Sequence, residues 1–94
     1  DMIDTAGTLV NAANAALEQG AKSVTAIATH GVLSDPAIDR IKKSDINKII
    51  ITDTISIAKH KLIDKLKIMS VAGIFGQAVD RVHNGESVSA LFEY

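Results

Sequence analysis

Apolar residues recur at Leu9, Val10, Ala13, Ala16 and Leu17, the spacing of one face of a helix, and Gly20 stands where a left-handed residue closes such a helix. The run SVTAIAT, Ser23 to Thr29, is mostly apolar and partly β-branched, which predicts a strand covered on both faces and ending at His30-Gly31. Ser34 or Asp35 can cap a short helix with Pro36 at its first position and Ala37, Ile38 and Ile41 as its buried stripe, ended by the polar residues Lys42 to Asn47. KIIIT, Lys48 to Thr52, predicts a second buried strand. Asp53-Thr54 follows, and the lysine-rich segment to Leu66 fits no single period. KIMSV, Lys67 to Val71, predicts a third strand. Ile74, Phe75, Ala78, Val79 and Val82 then make another helical stripe, stopped by Asn84-Gly85, and Ser87 can cap a final turn carrying Val88, Leu91 and Phe92.

Strands alternating with helices imply right-handed crossovers and an α/β fold, a parallel sheet with helices on both faces. In such a sheet the loop feeding a helix leaves the carboxyl end of a strand, and the pattern shows no strand before the first helix. The expectation is therefore a chain that starts inside a loop and is a piece of something longer. No internal repeat or low-complexity segment offers another organisation.

Composition narrows the function classes. Ninety-four residues fit one domain at most, and a domain of that size buries only about 60 to 65% of the surface its unfolded chain exposes. With 47% hydrophobic and 22% charged residues the chain reads as a soluble globular segment rather than a disordered one. A net charge of -1 gives no global field for nucleic acid or an anionic membrane, and 3% aromatics leave no stacking platform for single strands. The absence of cysteine excludes a disulfide framework and a thiolate metal site, and suits a cytoplasmic protein. No apolar run approaches a membrane span, and no charged-then-apolar leader is read at the start.

The candidate chemistry sits in the first eight residues, DMIDTAGT. The small side chains of Thr5, Ala6 and Gly7 let main-chain N–H groups approach an anion, and a helix beginning near Thr8 adds its positive end: a phosphate cradle. The hydroxyls of Thr5 and Thr8 can donate further bonds, while the missing GK[ST] argues against a nucleoside triphosphate in this loop. Asp1 and Asp4 would repel a phosphate but accept well from the vicinal hydroxyls of a ribose, so the set suits ribose 5-phosphate. The same carboxylates can hold Mg²⁺, directly or through water. An alternative stays open at this point: Asp4, Thr5 or Thr8 capping a helix in an ordinary tight turn.

DMIDTAGT resembles the phosphoribosyl-binding loop of type I phosphoribosyltransferases and ribose-phosphate pyrophosphokinases, and the pyrophosphokinase family is the nearer likeness. Three further stretches resemble that family in the same order: AIATHGVLSDPAI at Ala26 to Ile38, TDTI at Thr52 to Ile55, and HNGESVSALF at His83 to Phe92. The resemblance implies a type I phosphoribosyltransferase-like fold, incomplete at its start, with these 94 residues as the C-terminal, ribose 5-phosphate-binding part. It implies that Asp1 and Asp4 engage the ribose hydroxyls with associated Mg²⁺, and that Thr5, Ala6, Gly7 and Thr8 hold the 5-phosphate. The family usually carries one more Asp just before Asp1, which this chain lacks.

The implied reaction moves the diphosphoryl group of ATP to the anomeric hydroxyl of ribose 5-phosphate, giving phosphoribosyl pyrophosphate and AMP. The ATP pocket, the basic catalytic loop and a metal-binding histidine lie in the family's preceding part, so no catalytic residue is assigned here and the 94 residues alone are expected to be inactive. Ser87, Val88, Ser89 and Phe92 match a regulatory site for phosphate or ADP built between subunits of a homo-oligomer, a hexamer built of dimers. Ser87 as a cap and Phe92 as a core anchor are the plainer alternatives.

His30, at a strand's end, is read as structural or supporting. Thr52, Asp53 and Thr54 either line the same cleft or make a plain turn. Lys59, His60 and Lys61 are read as a solvated face. Ser56 and Asp35 depart from the proline and glycine common in the family. Two other functions compete: a type I phosphoribosyltransferase, and a non-catalytic regulatory subunit, which is expected to have lost the loop that is intact here.

Overall fold

The computed structural model describes residues 1–92. Five parallel strands and three helices alternate: β1 (Met2–Ile3), α1 (Gly7–Glu18), β2 (Thr25–Ile27), β3 (His30–Gly31), α2 (Ala37–Lys43), β4 (Lys48–Thr52), β5 (Leu66–Met69) and α3 (Ala72–His83). Short 3₁₀ turns at Lys59–Lys61 and Ser89–Phe92 complete the chain. The α/β alternation and the parallel pairing agree with the sequence pattern.

β2, β4 and β5 form one sheet with β4 in the middle, and β1 pairs with β3 in a second. The two sheets are joined by one stretch of chain that changes partner. Thr25–Ile27 runs beside Lys48–Ile50, and the pairing continues through the amide of Ala28 to Ile50 O at 3.0 Å and the amide of Thr52 to Thr29 O at 3.2 Å. From His30 onward the amides turn the other way, His30 N to Asp1 O at 3.0 Å and Val32 N to Ile3 O at 2.9 Å. The stretch expected to end at His30-Gly31 thus continues as β3. A strand also precedes the first loop: β1, made of the two apolar residues inside DMID. Two residues are too few for a period to reveal, which is why the pattern shows none there.

The core gathers Ile3, Ala6, Ala13, Ala26, Leu33, Ala37, Ile38, Ile41, Ile46, Ile49 and Ile51. It lies on one side of the sheet, where α1 and α2 pack against each other and the strands. The predicted stripe Ala37, Ile38 and Ile41 is buried, and Pro36 stands one place earlier than expected, as the N-cap of α2. Neither Ser34 nor Asp35 caps that helix with its side chain; Ser34 supplies its carbonyl to Ala37 N at 2.9 Å.

The expected cover on both faces is not found among the described residues. Alternation along the paired strands turns Ile27, Ile50 and Met69 to the side opposite Ile49, and Ile27 is 76% exposed. α3 forms where its stripe predicts, yet it buries none of its residues: Ile74, Phe75, Val79 and Val82 are all exposed. Apolar patterning reports what an element can bury, and here the partner surface is not among these residues.

Candidate functional site

The loop between β1 and α1 is anchored at both ends by burial. Ile3 enters the core and fixes β1 against β3, leaving Asp1 and Asp4 exposed on either side of the two-residue strand. Ala6 is again buried, 5% exposed, and takes the left-handed conformation at φ 65° and ψ 9°. An alanine held there costs about 1–2 kcal/mol relative to ordinary helical backbone, so packing of its methyl group into the core holds the turn in place. Ala6 is the N-cap of α1, and its carbonyl accepts the first helical bond from Val10 N at 3.0 Å.

No side chain caps this helix. The reading in which Asp4, Thr5 or Thr8 serves as a cap is therefore not realised. Among the described residues the N–H groups of Ala6, Gly7, Thr8 and Leu9 reach no acceptor, and these are the four donors a helix start leaves unpaired. Unpaired donors at the positive end of a helix are a favourable place for an anion.

Asp1, Asp4, Thr5, Ala6, Gly7 and Thr8 all line one cleft of about 600 Å³, whose far wall is Ala26, Ile27 and Ala28. The cleft has donors along the helix start and two carboxylates at the strand, so it can take a molecule that is anionic at one end and rich in hydroxyls at the other. Arg81–Glu86 at 3.7 Å is the only ion pair among the described residues, so both acids face the cleft unneutralised. Their hard oxygens suit Mg²⁺. No group of three or more His, Cys, Asp or Glu is assembled among the described residues; Mg²⁺ is commonly held by only one or two carboxylates, with water in its remaining positions.

The glycine of the loop has a different task from the left-handed turn. A Cβ on Gly7 would lie 3.0 Å from Nη1 of Arg40, whose guanidinium donates to the carbonyl of Thr5 at 3.1 Å. Nothing local in the sequence marks Arg40, because its contact spans 35 residues. The solvated face expected at Lys59, His60 and Lys61 is found at the first two. Lys59 and His60 are exposed, but Lys61 Nζ donates to Leu33 O at 2.9 Å, and the neighbouring Lys65 closes the end of α2 by donating to Ile41 O at 3.1 Å and Ser44 O at 2.7 Å.

Thr52, Asp53 and Thr54 do not line the cleft; they tie strand ends together. Thr52 Oγ1 donates to Thr29 O at 2.6 Å, and His30 Nδ1 lies 2.7 Å from Thr54 Oγ1, a structural link for the histidine. Asp53 Oδ1 accepts the amide of Val71 at 2.9 Å, and that bond, with one from Ser70, holds its carboxyl below the ordinary value of 3.8.

Ser87, Val88, Ser89 and Phe92 stand apart from the cleft, beside α3. Ser87 Oγ accepts the amide of Ser89 at 3.2 Å and lies 2.6 Å from Ser89 Oγ, so it caps the last turn. Phe92 is 60% exposed and is not a core anchor; the segment has no buried surface to receive it.

Fold and cleft define a class: a parallel α/β domain whose cleft is lined by a loop that leaves the carboxyl end of a strand and enters a helix. The chain belongs to the phosphoribosyl synthetase-associated domain family, whose model matches residues 1–93. It is 58% identical over 92 residues to the ribose-phosphate pyrophosphokinase of Caldanaerobacter subterraneus subsp. tengcongensis, covering 98% of this chain and 29% of the relative. It is 54% identical over 92 residues to the ribose-phosphate pyrophosphokinase of Fusobacterium nucleatum subsp. nucleatum, with the same shares. The phosphoribosylpyrophosphate synthetase from Mycobacterium smegmatis is similar in structure, with a TM-score of 0.88 at 40% identity over 90% of this chain and 28% of that one. The chain thus spans under a third of the length of the relatives it matches. No helix among the described residues is long and apolar enough to cross a membrane.

Proposed function

We propose that the chain is the C-terminal, ribose 5-phosphate-binding part of a ribose-phosphate pyrophosphokinase, and that its domain is of the type I phosphoribosyltransferase kind. The carrying observation is the set of four unpaired amides at the start of α1, opening onto the cleft that Asp1 and Asp4 also line. The 5-phosphate is received by the amides of Ala6, Gly7 and Thr8 with the hydroxyls of Thr5 and Thr8, and the ribose diol by Asp1 and Asp4. This orients the anomeric hydroxyl for attack on the diphosphoryl group of ATP, yielding phosphoribosyl pyrophosphate and AMP. Orientation alone removes much of the barrier. Asp1 and Asp4 are the residues that would hold Mg²⁺, which supplies neutralisation of the charge on the transferred group.

ATP is bound mainly by the preceding part of the enzyme, so these 94 residues alone have no turnover. Ser87, Val88, Ser89 and Phe92 belong to a regulatory phosphate or ADP site completed by another subunit of a cytoplasmic homo-oligomer; the exposure of Ser87, Ser89 and Phe92 beside half-buried Val88 is compatible with a shared surface. The test is AMP release by the full-length enzyme, which is expected only when ribose 5-phosphate and Mg²⁺ are both present. AMP released without the sugar phosphate contradicts the assignment.

A further inference from the structure

We propose that Arg40 is a positioning residue for the sugar-phosphate loop, aiming its main-chain donors into the cleft by holding the Thr5 carbonyl from behind. The inference rests on the ribose 5-phosphate reading above and adds to it a residue on a different element.

Arg40 belongs to α2, where its amide bonds to Pro36 O at 3.0 Å. Arg40 does not line the cleft. With Val10, Asn14, Lys43, Ser44 and Asp45 it lines a separate depression that shares no residue with the cleft. From there Nη1 donates to Thr5 O at 3.1 Å.

The Thr5–Ala6 peptide is trans. In a trans peptide the carbonyl and the following N–H point in opposite directions. A carbonyl drawn toward Arg40 therefore sends the Ala6 N–H away from Arg40, toward the cleft that Thr5, Ala6 and Gly7 line.

The left-handed turn at Ala6, which alanine does not favour, is held by its buried methyl group and further oriented by the bond from Arg40 to the preceding carbonyl. An always-charged donor gives a stronger bond to a carbonyl than a neutral one and cannot lose its proton. The fit is close on one more side: Arg40 Nη1 is 3.0 Å and Arg40 Cζ 3.7 Å from where a Gly7 Cβ would stand, and apart from the chain neighbours and the helix's own backbone no other atom comes within 4 Å of it. A Cβ at position 7 would thus push the guanidinium aside by a few tenths of an ångström, at the expense of its bond to Thr5.

The experiment is titration calorimetry of the full-length protein with ribose 5-phosphate and, separately, with ATP, on folded Arg40→Met, Arg40→Lys, Gly7→Ala and the Gly7→Ala/Arg40→Met pair. Arg40→Met is expected to raise the Kd for ribose 5-phosphate about tenfold, the scale of one lost bond to a charged donor. ATP affinity should stay unchanged, and Arg40→Lys should recover part of the loss. Gly7→Ala should weaken sugar-phosphate binding in the native background and add little once Arg40 is gone, since the two act through one contact.

Native affinity in folded Arg40→Met, an equal loss for ATP, or a Gly7→Ala cost undiminished in the double variant would overturn the proposal. Should Arg40→Met not fold, Arg40→Gln, too short to reach the Thr5 carbonyl, decides in its place: native affinity for ribose 5-phosphate in that variant refutes it. A native protein that does not bind ribose 5-phosphate refutes the reading of the cleft itself, and the inference falls with it.

Discussion

Gly31 and Ala6 meet the tightest local demands near the cleft, and for opposite reasons. Ala6 keeps a side chain in a conformation that favours glycine, because its methyl group is in the core. Gly31 has an ordinary backbone but no room: a Cβ there would collide with Cδ1 of Ile51 and lie 3.3 Å from its Cγ2. Ile51 is 1% exposed and cannot move aside into solvent. Gly31 pairs with Ile3, so a displaced β3 also displaces the strand that carries Asp1 and Asp4. Gly31→Ala is expected to destabilise the chain by about 1–3 kcal/mol, the usual cost of overpacking. Chemical denaturation checks it, and unchanged stability would mean that the β3–β4 contact is looser than described.

Between elements, Asp53 links the end of β4 to the entry of α3. Its carboxylate accepts from Val71, the N-cap of α3, and this lowers its pKa below the ordinary 3.8. A group whose folded pKa is depressed stabilises fully above its unfolded value and loses that contribution as pH falls through the folded value. Replacing Asp53 by Asn should therefore lower stability at neutral pH, and the gap between native and variant should close as pH drops below about 3.8. Thermal melts across pH 2 to 7 measure this; a gap independent of pH would remove Asp53 from the joint.

The same scale explains what the sequence could disclose. KIIIT and the Ala37, Ile38, Ile41 stripe were legible because period and burial coincide there. α3 was legible as a helix but not as an exposed one, since period says nothing of partners. β1 and the change of partner at Thr29-His30 were illegible, resting on pairs formed 28 residues apart. Within the candidate site, DMIDTAGT marked the small-residue loop that enters α1, while Arg40 emerged only from the fold.

At the scale of the whole molecule the chain is extended, 51 by 30 by 19 Å, with a radius of gyration of 16.4 Å against about 12 Å for a compact domain of this length. The excess comes from α3 and the following turn, which lie outside the core. The cleft lies at the other pole, among β1, α1 and β2, where core burial is continuous beneath the loop. The continuous burial beneath the loop contrasts with α3, which buries none of its residues. The direct measurement is a crystal structure of the full-length protein with ribose 5-phosphate. The account predicts the phosphate within hydrogen-bond distance of the Ala6, Gly7 and Thr8 amides and the diol at Asp1 and Asp4. A sugar phosphate seated elsewhere, or acids turned from the diol, would contradict it.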